Sequence, residues 1–388
     1  MLEKKKLWIL SELFYPETTS TAYIMTDLAK KLSEKYEVHV LCGNPTYDTT
    51  DNIVPLDNIT VHRINDKKID KNNRIKRLVR ALTLSNKMVS FLSKEKDNVD
   101  KILFVTNPAL LPLKVSKWTH ENNKESYLLV HDVFPENAIN TNMLKSKILG
   151  CLLKKAFDKA YSKITKIIVI GRDMKDVVSK KICSERNIEV ITNWAEPNNI
   201  IPKENNNEGK IVIQFAGNIG RVQGLMDFLV LLKNVHNNNI EIKITGNGAL
   251  KKDLEQFVSD NKIENVVFAS SYKRSEENAV LAACDIALIT LQDTMYGLGV
   301  PSKLYNNLAA GKPILYIGPK CSEVYLTVEE NKIGYAFSFS QKDDIIEFLN
   351  NLGSGSRDIL QKMGVRSREL AETKYSKEIC LNKFAELI

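Results

Sequence analysis

The chain has 388 residues, of which 43% are hydrophobic and 26% are charged. This composition is typical of a folded protein and excludes a low-complexity or disordered chain. A single core seldom grows beyond roughly 250–300 residues, so the length predicts two domains. No apolar stretch reaches the ~18–20 residues of a membrane span, and the opening MLEKKK lacks the features of a signal peptide. We therefore expect a cytoplasmic protein.

The net charge of +8 belongs to the first half of the chain. Residues 1–195 contain 33 Lys/Arg and 23 Asp/Glu (+10), whereas the remainder contains 22 and 24 (−2). Two interpretations are open: an anionic partner of the first half, or a solvated basic surface.

The six cysteines are scattered without a C-x-x-C pair, which predicts reduced core thiols rather than disulfides or a zinc site.

The first half alternates apolar runs with helical patterns. The runs are short and do not clearly alternate apolar with polar residues, which favours strands buried on both faces of a parallel sheet. The predicted strands are 7–10, 38–42, 102–105, 127–130, 167–170 and 188–191, and the predicted helices are 22–32, 75–92, 110–121, 144–161 and 173–181. Such β-α alternation indicates a doubly wound, Rossmann-like α/β domain.

A second α/β series follows residues 196–209, which contain two prolines and three consecutive asparagines and are predicted to be a linker. The predicted strands of this series are 211–215, 240–245, 266–269, 286–290, 314–317 and 334–337, and residues 356–388 are helical in pattern. The predicted domains are therefore 1–195 and 210–365, with a helical segment at 366–388. In parallel sheets of this type, ligands bind outside the carboxyl ends of the strands.

Residues 215–224, FAGNIGRVQG, read as strand, glycine-bearing turn and helix start. Such a turn can offer backbone N–H groups to a phosphate beside the positive end of the helix dipole. Arg221 adds guanidinium donors. The G-x-G-x-x-G spacing of dinucleotide-binding proteins is absent.

Residues 297–311 form a second glycine-rich loop that leads into a helix. Ser302 is the predicted N-cap, and Gly311 is predicted to end the helix. Lys303 can supply charge to a phosphate, and Asn306, one turn further, can hydrogen-bond a ribose or sugar hydroxyl. Two such loops in one domain favour a diphosphate ligand; an ordinary N-cap and a solvated lysine are the structural alternatives.

Together with LSEKYEVHVLCG, HDVFPENA, ITNWAEP and GNGAL, these two loops resemble the family 4 glycosyltransferases. These are retaining, nucleotide-sugar-dependent enzymes of the two-domain GT-B type, and the likeness covers nearly the whole chain. It is strongest to the bacterial branch that builds O-antigen and capsule and includes N-acetylfucosamine transferases. The resemblance implies two facing Rossmann-like domains, with C-terminal helices that cross back to the first domain.

The resemblance also implies residue roles. Donor-phosphate binding falls on Gly217, Asn218, Gly220, Arg221, Gln223, Ser302 and Lys303. Ribose binding falls on Asn306, which stands at the second glutamate of the family's E-x7-E motif, while Leu298 stands at the first. The nucleotide and sugar loops contain Gly246, Asn247, Tyr272, Gly299, Val300 and Pro301. His131, after the strand 127–130, is the expected catalytic residue, and Thr19, Ser20 and Asp132 belong to the acceptor loops.

No D-x-D pair occurs in the sequence, so we expect neither a metal nor another cofactor. The donor substrate is expected to be a UDP-sugar, with front-face substitution as proposed for the family, and the acceptor a lipid-linked sugar or a glycan. The alternatives are a nucleotide-sugar epimerase of the same shape and a catalytically inactive partner protein.

Residues 67–92 form a basic segment with apolar residues at helical spacing. Eight Lys/Arg lie between Lys67 and Lys87 against one acid, Asp70, and the apolar positions are Ile75, Leu78, Val79, Leu82, Val89 and Leu92. Two interpretations are open: a helix that lies on the anionic inner membrane surface, and a core-packed helix with a solvated basic face. Nucleic acid is not an expected partner, because no aromatic-interleaved basic groove occurs.

Overall fold

The computed structural model describes residues 4–45, 49, 54–65, 74–203 and 209–388, without the side chains of 74–77. Contacts between Cα atoms divide the chain into two units. Unit 1 contains residues 1–191 and 381–388, and unit 2 contains residues 192–380. The segment 192–203, most of which the sequence assigns to a linker, therefore clusters with unit 2, as does 366–380.

Unit 1 is built on a seven-stranded parallel sheet of order β3-β2-β1-β4-β5-β6-β7. Its strands are β1 Lys6–Ser11, β2 Glu37–Gly43, β3 Ile59–Ile64, β4 Lys101–Val105, β5 Glu125–Val130, β6 Lys166–Val169 and β7 Ile188–Val190. Its helices are α1 Ser20–Ser33, α2 Arg74–Lys94, α3 Leu111–Glu121, α4 Glu136–Asn140, α5 Lys147–Tyr161 and α6 Arg172–Ile182. Helices on both faces explain why the central strands are buried along almost their whole length.

Unit 2 contains a six-stranded parallel sheet of order β10-β9-β8-β11-β12-β13. Its strands are β8 Ile211–Ala216, β9 Ile240–Thr245, β10 Val266–Ala269, β11 Ile286–Thr290, β12 Ile314–Ile317 and β13 Gly334–Phe337. Its helices are α7 Leu225–Leu232, α8 Lys251–Asp260, α9 Glu277–Ala282, α10 Lys303–Ala309, α11 Glu323–Asn331, α12 Lys342–Asn351 and α13 Arg357–Thr373, followed by α14 Lys377–Leu387. Every strand predicted from the sequence is present.

The last helix ends in unit 1, as the resemblance implies. The Tyr36 hydroxyl donates to the carbonyl oxygen of Ile388 at 2.8 Å, and the Lys101 ammonium contacts the same oxygen at 2.5 Å. The C-terminal residues 381–388 thus complete the unit that contains the N-terminus.

Three local expectations were wrong. The sequence analysis assigns no strand to 59–64, because β3 is an only partly buried edge strand whose residues include a histidine and an arginine. The helix predicted at 144–161 begins at Lys147, because the Ser146 hydroxyl accepts the Leu149 amide at 3.3 Å and caps it. The six cysteines are free, but Cys151, Cys183 and Cys321 are exposed rather than core residues.

Within the part that the structure describes, the basic segment 67–92 packs one face of α2 into the core, while residues 67–73 lie outside that part and the membrane interpretation stays a prediction. Leu84, Met88 and Leu92 are fully buried. Arg80 is also buried, with its Nε 3.4 Å from Glu12 Oε1. Three other apolar residues near the start of α2 remain exposed, namely Leu78, Val79 and Leu82.

Candidate functional site

The two glycine-rich loops follow neighbouring strands of the second sheet. β8 pairs with β11, and the chain order of the strands reverses between them, with β9 and β10 on one side and β12 and β13 on the other. The loop that contains Gly217 follows β8, and the loop that contains Gly299 follows β11. A crevice opens at the carboxyl ends of strands where the order reverses, which is the usual place for a ligand in such sheets.

The bend after β8 packs directly against the bend after β9. The Gly217 amide donates to the Thr245 carbonyl at 2.9 Å, and the Ile219 amide donates to the Asn247 carbonyl at 2.8 Å. Gly246 has a φ of +144°, and a Cβ there would lie 2.0 Å from the Gly217 oxygen. Only glycine allows this approach. The Gly217 amide is therefore occupied within the protein, while the assignment of Gly217 to the donor-phosphate turn stays a prediction.

Lys303 connects the two loops. Its ammonium nitrogen is buried, lies 3.3 Å from the centroid of the Phe215 ring, and has no hydrogen-bond partner in the described part of the chain. A Cβ at Gly217 would lie 3.4 Å from this nitrogen, and the φ of +133° at Gly217 also favours glycine. Burial lowers the pKa of Lys303 from 10.5 to about 7. A buried cation without an anion is costly, which makes this position suited to a phosphate.

Two further buried polar atoms of unit 2 lack hydrogen-bond partners among the residues described. One is the side-chain oxygen of Gln223, in the short 3-10 turn Arg221–Gln223, and the other is the hydroxyl of Thr290, the last residue of β11. Both belong to the carboxyl edges of the strands at the crevice. Buried polar groups are normally satisfied, so these atoms mark positions where ligand groups can complete the bonding. Arg221 itself is exposed, as is Asn218 on the preceding bend.

Ser302 occupies the N-cap position of α10, as predicted, but it does not cap the helix with its side chain. Ser302 already has helical dihedral angles, with φ of −62° and ψ of −22°, and its exposed side chain makes no capping hydrogen bond. Gly311, with φ of +66°, does follow the end of α10. Leu298 is buried, whereas the positions between it and Ser302 are partly exposed, namely Gly299, Val300 and Pro301.

Asn306 is held by a carboxylate that the sequence analysis did not identify. Its side-chain amide donates to Glu277 Oε1 at 2.7 Å, from α10 to the first residue of α9. Burial and then the Glu277 carboxylate raise the pKa of Tyr272 to about 12. The side-chain amide of Asn247 donates to Ser271 Oγ at 3.0 Å, which links the loops that follow β9 and β10.

In unit 1, His131 directly follows β5. Its backbone amide and that of Asp132 both donate to the Thr106 hydroxyl, at 3.2 and 3.3 Å. The ring nitrogen Nε2 is buried without a hydrogen-bond partner within the described ranges, and burial lowers the pKa of His131 to about 4. The ring is therefore neutral at neutral pH and keeps one nitrogen available for a ligand. The Asp132 carboxylate instead accepts the side-chain amide of Asn137 at 3.1 Å.

Comparisons with known proteins identify the family. The sequence profile of the family "Glycosyl transferases group 1" matches residues 197–369. The probable glycosyltransferase WbjE of Pseudomonas aeruginosa is 34% identical over 307 residues, which cover 74% of each chain. The chain belongs to the group 1 glycosyltransferases.

Solved structures of low sequence identity share the fold of this glycosyltransferase over nearly its whole length. Sucrose-phosphate synthase from Thermosynechococcus elongatus superimposes with a TM-score of 0.76 at 10% identity, over 99% of this chain and 98% of that one. HepE from Anabaena, crystallised in complex with UDP, superimposes with a TM-score of 0.71 at 12% identity, over 99% of both chains. These similarities confirm the expected α/β GT-B fold.

The predicted acceptor loop of this glycosyltransferase precedes α1. The Thr19 hydroxyl accepts the Ala22 amide at 3.2 Å and caps the helix, so it is already occupied within the protein. Ser20 is the exposed first residue of α1. The loop follows β1, which pairs with β2 on one side and β4 on the other, where the order of this sheet reverses.

No group of three or more His, Cys, Asp or Glu side chains among the described residues could hold a metal ion. None of the helices described combines the length and the apolar character that crossing a bilayer requires.

Sequence reasoning did not identify Glu277 or Thr290. Glu277 reads as an ordinary acidic residue in the first turn of a helix, and Thr290 reads as the end of a buried strand. Their significance depends on neighbours that are distant in sequence.

Proposed function

We propose that this glycosyltransferase moves a sugar from a UDP-sugar to a lipid-linked sugar or oligosaccharide in the synthesis of a bacterial surface polysaccharide, with retention at the anomeric carbon and without a metal. The observation that carries the proposal is the buried, unpaired ammonium of Lys303 between two glycine-rich loops. The name of the related WbjE and the UDP bound to HepE support the choice of reaction and nucleotide.

The donor diphosphate is assigned to the crevice beside β8 and β11. Because the amides of Gly217 and Ile219 are occupied, the phosphate oxygens are assigned to the neighbouring amides of Asn218 and Gly220 and to Lys303, with Arg221 reaching in from its exposed turn. As the bond from the anomeric carbon to the phosphate oxygen breaks, its electron pair stays on that oxygen. The lysine and arginine charges stabilise the negative charge that develops there.

The nucleoside end is assigned to the Asn306–Glu277 pair. The family resemblance implies a carboxylate at position 306, and here the carboxylate comes from Glu277 on another helix, 2.7 Å from the Asn306 amide. Glu277 can accept a hydrogen bond from a ribose hydroxyl, while the Asn306 carbonyl accepts another. Tyr272, whose pKa burial and then the same carboxylate raise to about 12, is a neutral hydroxyl donor beside this pair.

His131 is assigned to the acceptor side of the reaction. A neutral imidazole with one free nitrogen can orient a hydroxyl of the acceptor or of the transferred sugar. In front-face substitution, the acceptor proton passes to the leaving phosphate oxygen, so His131 orients groups without taking up the proton.

The direct test has two stages. UDP and GDP are first compared by calorimetry, and UDP-sugars, beginning with UDP-N-acetylfucosamine, are then incubated with a polyprenyl-diphosphate sugar. The proposal predicts UDP binding, release of UDP that depends on the acceptor, and a product with the anomeric configuration of the donor. Conversion of the sugar nucleotide without an acceptor would indicate an epimerase, and a folded protein that binds no nucleotide would indicate an inactive partner.

A further inference from the structure

Four charged side chains of unit 1 form a closed ring of ion pairs. The Lys181 ammonium lies 2.6 Å from Glu136 Oε1 and 2.9 Å from Asp158 Oδ1. The Lys154 ammonium contacts the same two carboxylates, at 3.4 and 3.2 Å. Glu136 is the first residue of α4, and Lys181 lies near the end of α6. The other two residues belong to α5, so the four residues, which we call the charge ring, tie three helices together.

The pair at the centre of the charge ring is buried. The side chain of Lys181 is 1% exposed, and that of Glu136 is 18% exposed. Burial of an ion pair costs desolvation, and well-packed apolar side chains of similar volume are often as stable or more stable. Stability alone therefore does not account for a lysine at this position. What the ion pair adds to apolar packing is direction, because charge-assisted hydrogen bonds determine which atoms meet.

The short helix α4 connects the charge ring to the loop 131–135. The second residue of α4 is Asn137. Its side-chain amide donates to Asp132 Oδ1 at 3.1 Å, and its backbone amide donates to the Val133 carbonyl at 2.9 Å. A displacement of α4 would therefore also displace the residues that follow His131 in the chain.

The loop 131–135 is held at both of its ends. At its start, the Thr106 hydroxyl accepts the amides of His131 and Asp132, and at its end the charge ring holds α4. Between these points, Val133 is fully buried. His131 Nε2 has no hydrogen-bond partner in the described part of the chain, so no bond from this nitrogen orients the ring. The direction of the ring therefore depends on the backbone of the loop and on the packing around it.

We propose that Glu136 and Lys181 are positioning residues: their buried ion pair fixes α4, and α4 fixes the loop that aims the His131 ring at the reacting groups. Positioning matters because a displacement of about 1 Å in a group that orients reactants can lower the rate about 100-fold. The effect on turnover rests on the role proposed above for His131. The effect on the geometry of the loop rests on the contacts alone.

The main experiment uses the double variant Glu136→Met/Lys181→Met. Methionine has a similar volume, the net charge is unchanged, and Lys154 and Asp158 remain paired. We expect the urea midpoint of unfolding to stay close to that of the wild type, because an apolar pair replaces a buried ion pair. We also expect kcat to fall about tenfold to 100-fold, with unchanged affinity for UDP, which is assigned to unit 2. A merely structural pair predicts the opposite, namely a lower midpoint and an unchanged kcat of the folded enzyme.

NMR of ring-labelled histidine reports on the loop without any turnover. The chain has five histidines, and comparison with His131→Ala identifies the His131 signal. Burial lowers the pKa of His131 to about 4, so its wild-type signal should stay constant between pH 5 and 8. In the double variant water should reach the ring, and the pKa should rise toward the ordinary value of 6.5, so that the signal titrates in this range. Asn137→Ala, which cuts the contact with Asp132 and leaves the ion pairs intact, should shift the pKa in the same direction and replaces the double variant if that protein does not fold.

The matched control is Lys166→Met/Glu189→Met, which removes another lysine–glutamate pair of unit 1, 3.5 Å apart and between β6 and β7. It should leave kcat and the His131 signal as in the wild type. Glu136→Gln keeps a side-chain oxygen that accepts from Lys181, so it should retain most of the wild-type kcat. The proposal is overturned by a double variant with wild-type kcat and a constant His131 signal, or by a control that lowers kcat equally. If the wild type transfers no sugar, the proposed function fails, and the NMR signal alone decides whether the ion pair positions the loop.

Discussion

Replacing Lys303 by methionine should stabilise the ligand-free protein. Methionine fills a similar volume, and the substitution removes a buried, unpaired charge. The fall of the Lys303 pKa from 10.5 to about 7 corresponds to roughly 5 kcal/mol against the charged form. Contact of the ammonium with the face of the Phe215 ring offsets about 1–2 kcal/mol of this cost. We therefore expect Lys303→Met to raise the free energy of unfolding of unit 2 by about 3 kcal/mol at pH 7.

The stability gained by Lys303→Met should decrease as the pH rises. The folded-state pKa of Lys303 lies below its unfolded value, so between pH 7 and 10.5 the unfolded chain binds more protons than the folded chain. The stability of the wild type therefore rises with pH across this window, and the advantage of Lys303→Met shrinks. Urea unfolding of both proteins at pH 7, 8.5 and 10 measures this trend.

The same substitution should weaken ligand binding. A charge-assisted hydrogen bond contributes about 1.5–3 kcal/mol, so we expect UDP to bind Lys303→Met roughly 10- to 100-fold more weakly. A bound diphosphate raises the Lys303 pKa, so the wild type should take up close to one proton per UDP bound at pH 8. Calorimetry in two buffers of different ionisation enthalpy measures that uptake, which the variant should lack.

The control is Lys233→Met, which changes an exposed lysine at the end of α7 and should leave both stability and UDP affinity unchanged. A Lys303→Met protein that is less stable than the wild type without ligand would contradict the buried-charge argument. Unchanged proton uptake with undiminished UDP affinity would remove Lys303 from the donor site.

Three other substitutions test the remaining assignments. Glu277→Gln should weaken UDP binding about tenfold, because the carboxylate loses its charge while Asn306 keeps a partner; calorimetry measures it. His131→Ala should lower kcat by about 100-fold with unchanged UDP affinity, and the wild-type pH–rate profile should show no inflection near pH 6.5 from this residue, because burial lowers its pKa to about 4. Gly246→Ala should destabilise unit 2 by at least about 3 kcal/mol in urea unfolding, because its Cβ would overlap the Gly217 oxygen.

These predictions have their own controls and contrary outcomes. Glu276→Gln, at the exposed residue before Glu277, should bind UDP normally, and equal losses in both variants would argue for a general charge effect. Undiminished turnover of His131→Ala would exclude an orienting role. Gly353→Ala, where a Cβ meets nothing within 4 Å, should unfold like the wild type; a Gly246→Ala protein as stable as this control would show that the two bends separate easily.

Much of the fold was readable from the sequence. Strands buried on both faces must be continuously apolar, so the runs that became β1 and β8 were visible without any contact information. The edge strand β3 was not visible, because it is only partly buried. Its pairing with β2 supplies the hydrogen bonds that its apolar pattern does not predict.

For the site, the sequence by itself determined the glycine-bearing bend after β8, because the φ of +133° at Gly217 is one that side-chain-bearing residues rarely adopt. It also determined that the second glycine-rich loop, 297–311, contains a lysine where the helix begins. Only the tertiary structure decided that the Lys303 ammonium lies over Phe215 without a counter-ion, and that Glu277 replaces a carboxylate absent from its own helix. Backbone conformation depends on residues that are neighbours in sequence, whereas burial and charge pairing depend on residues that folding brings together from distant parts of the chain.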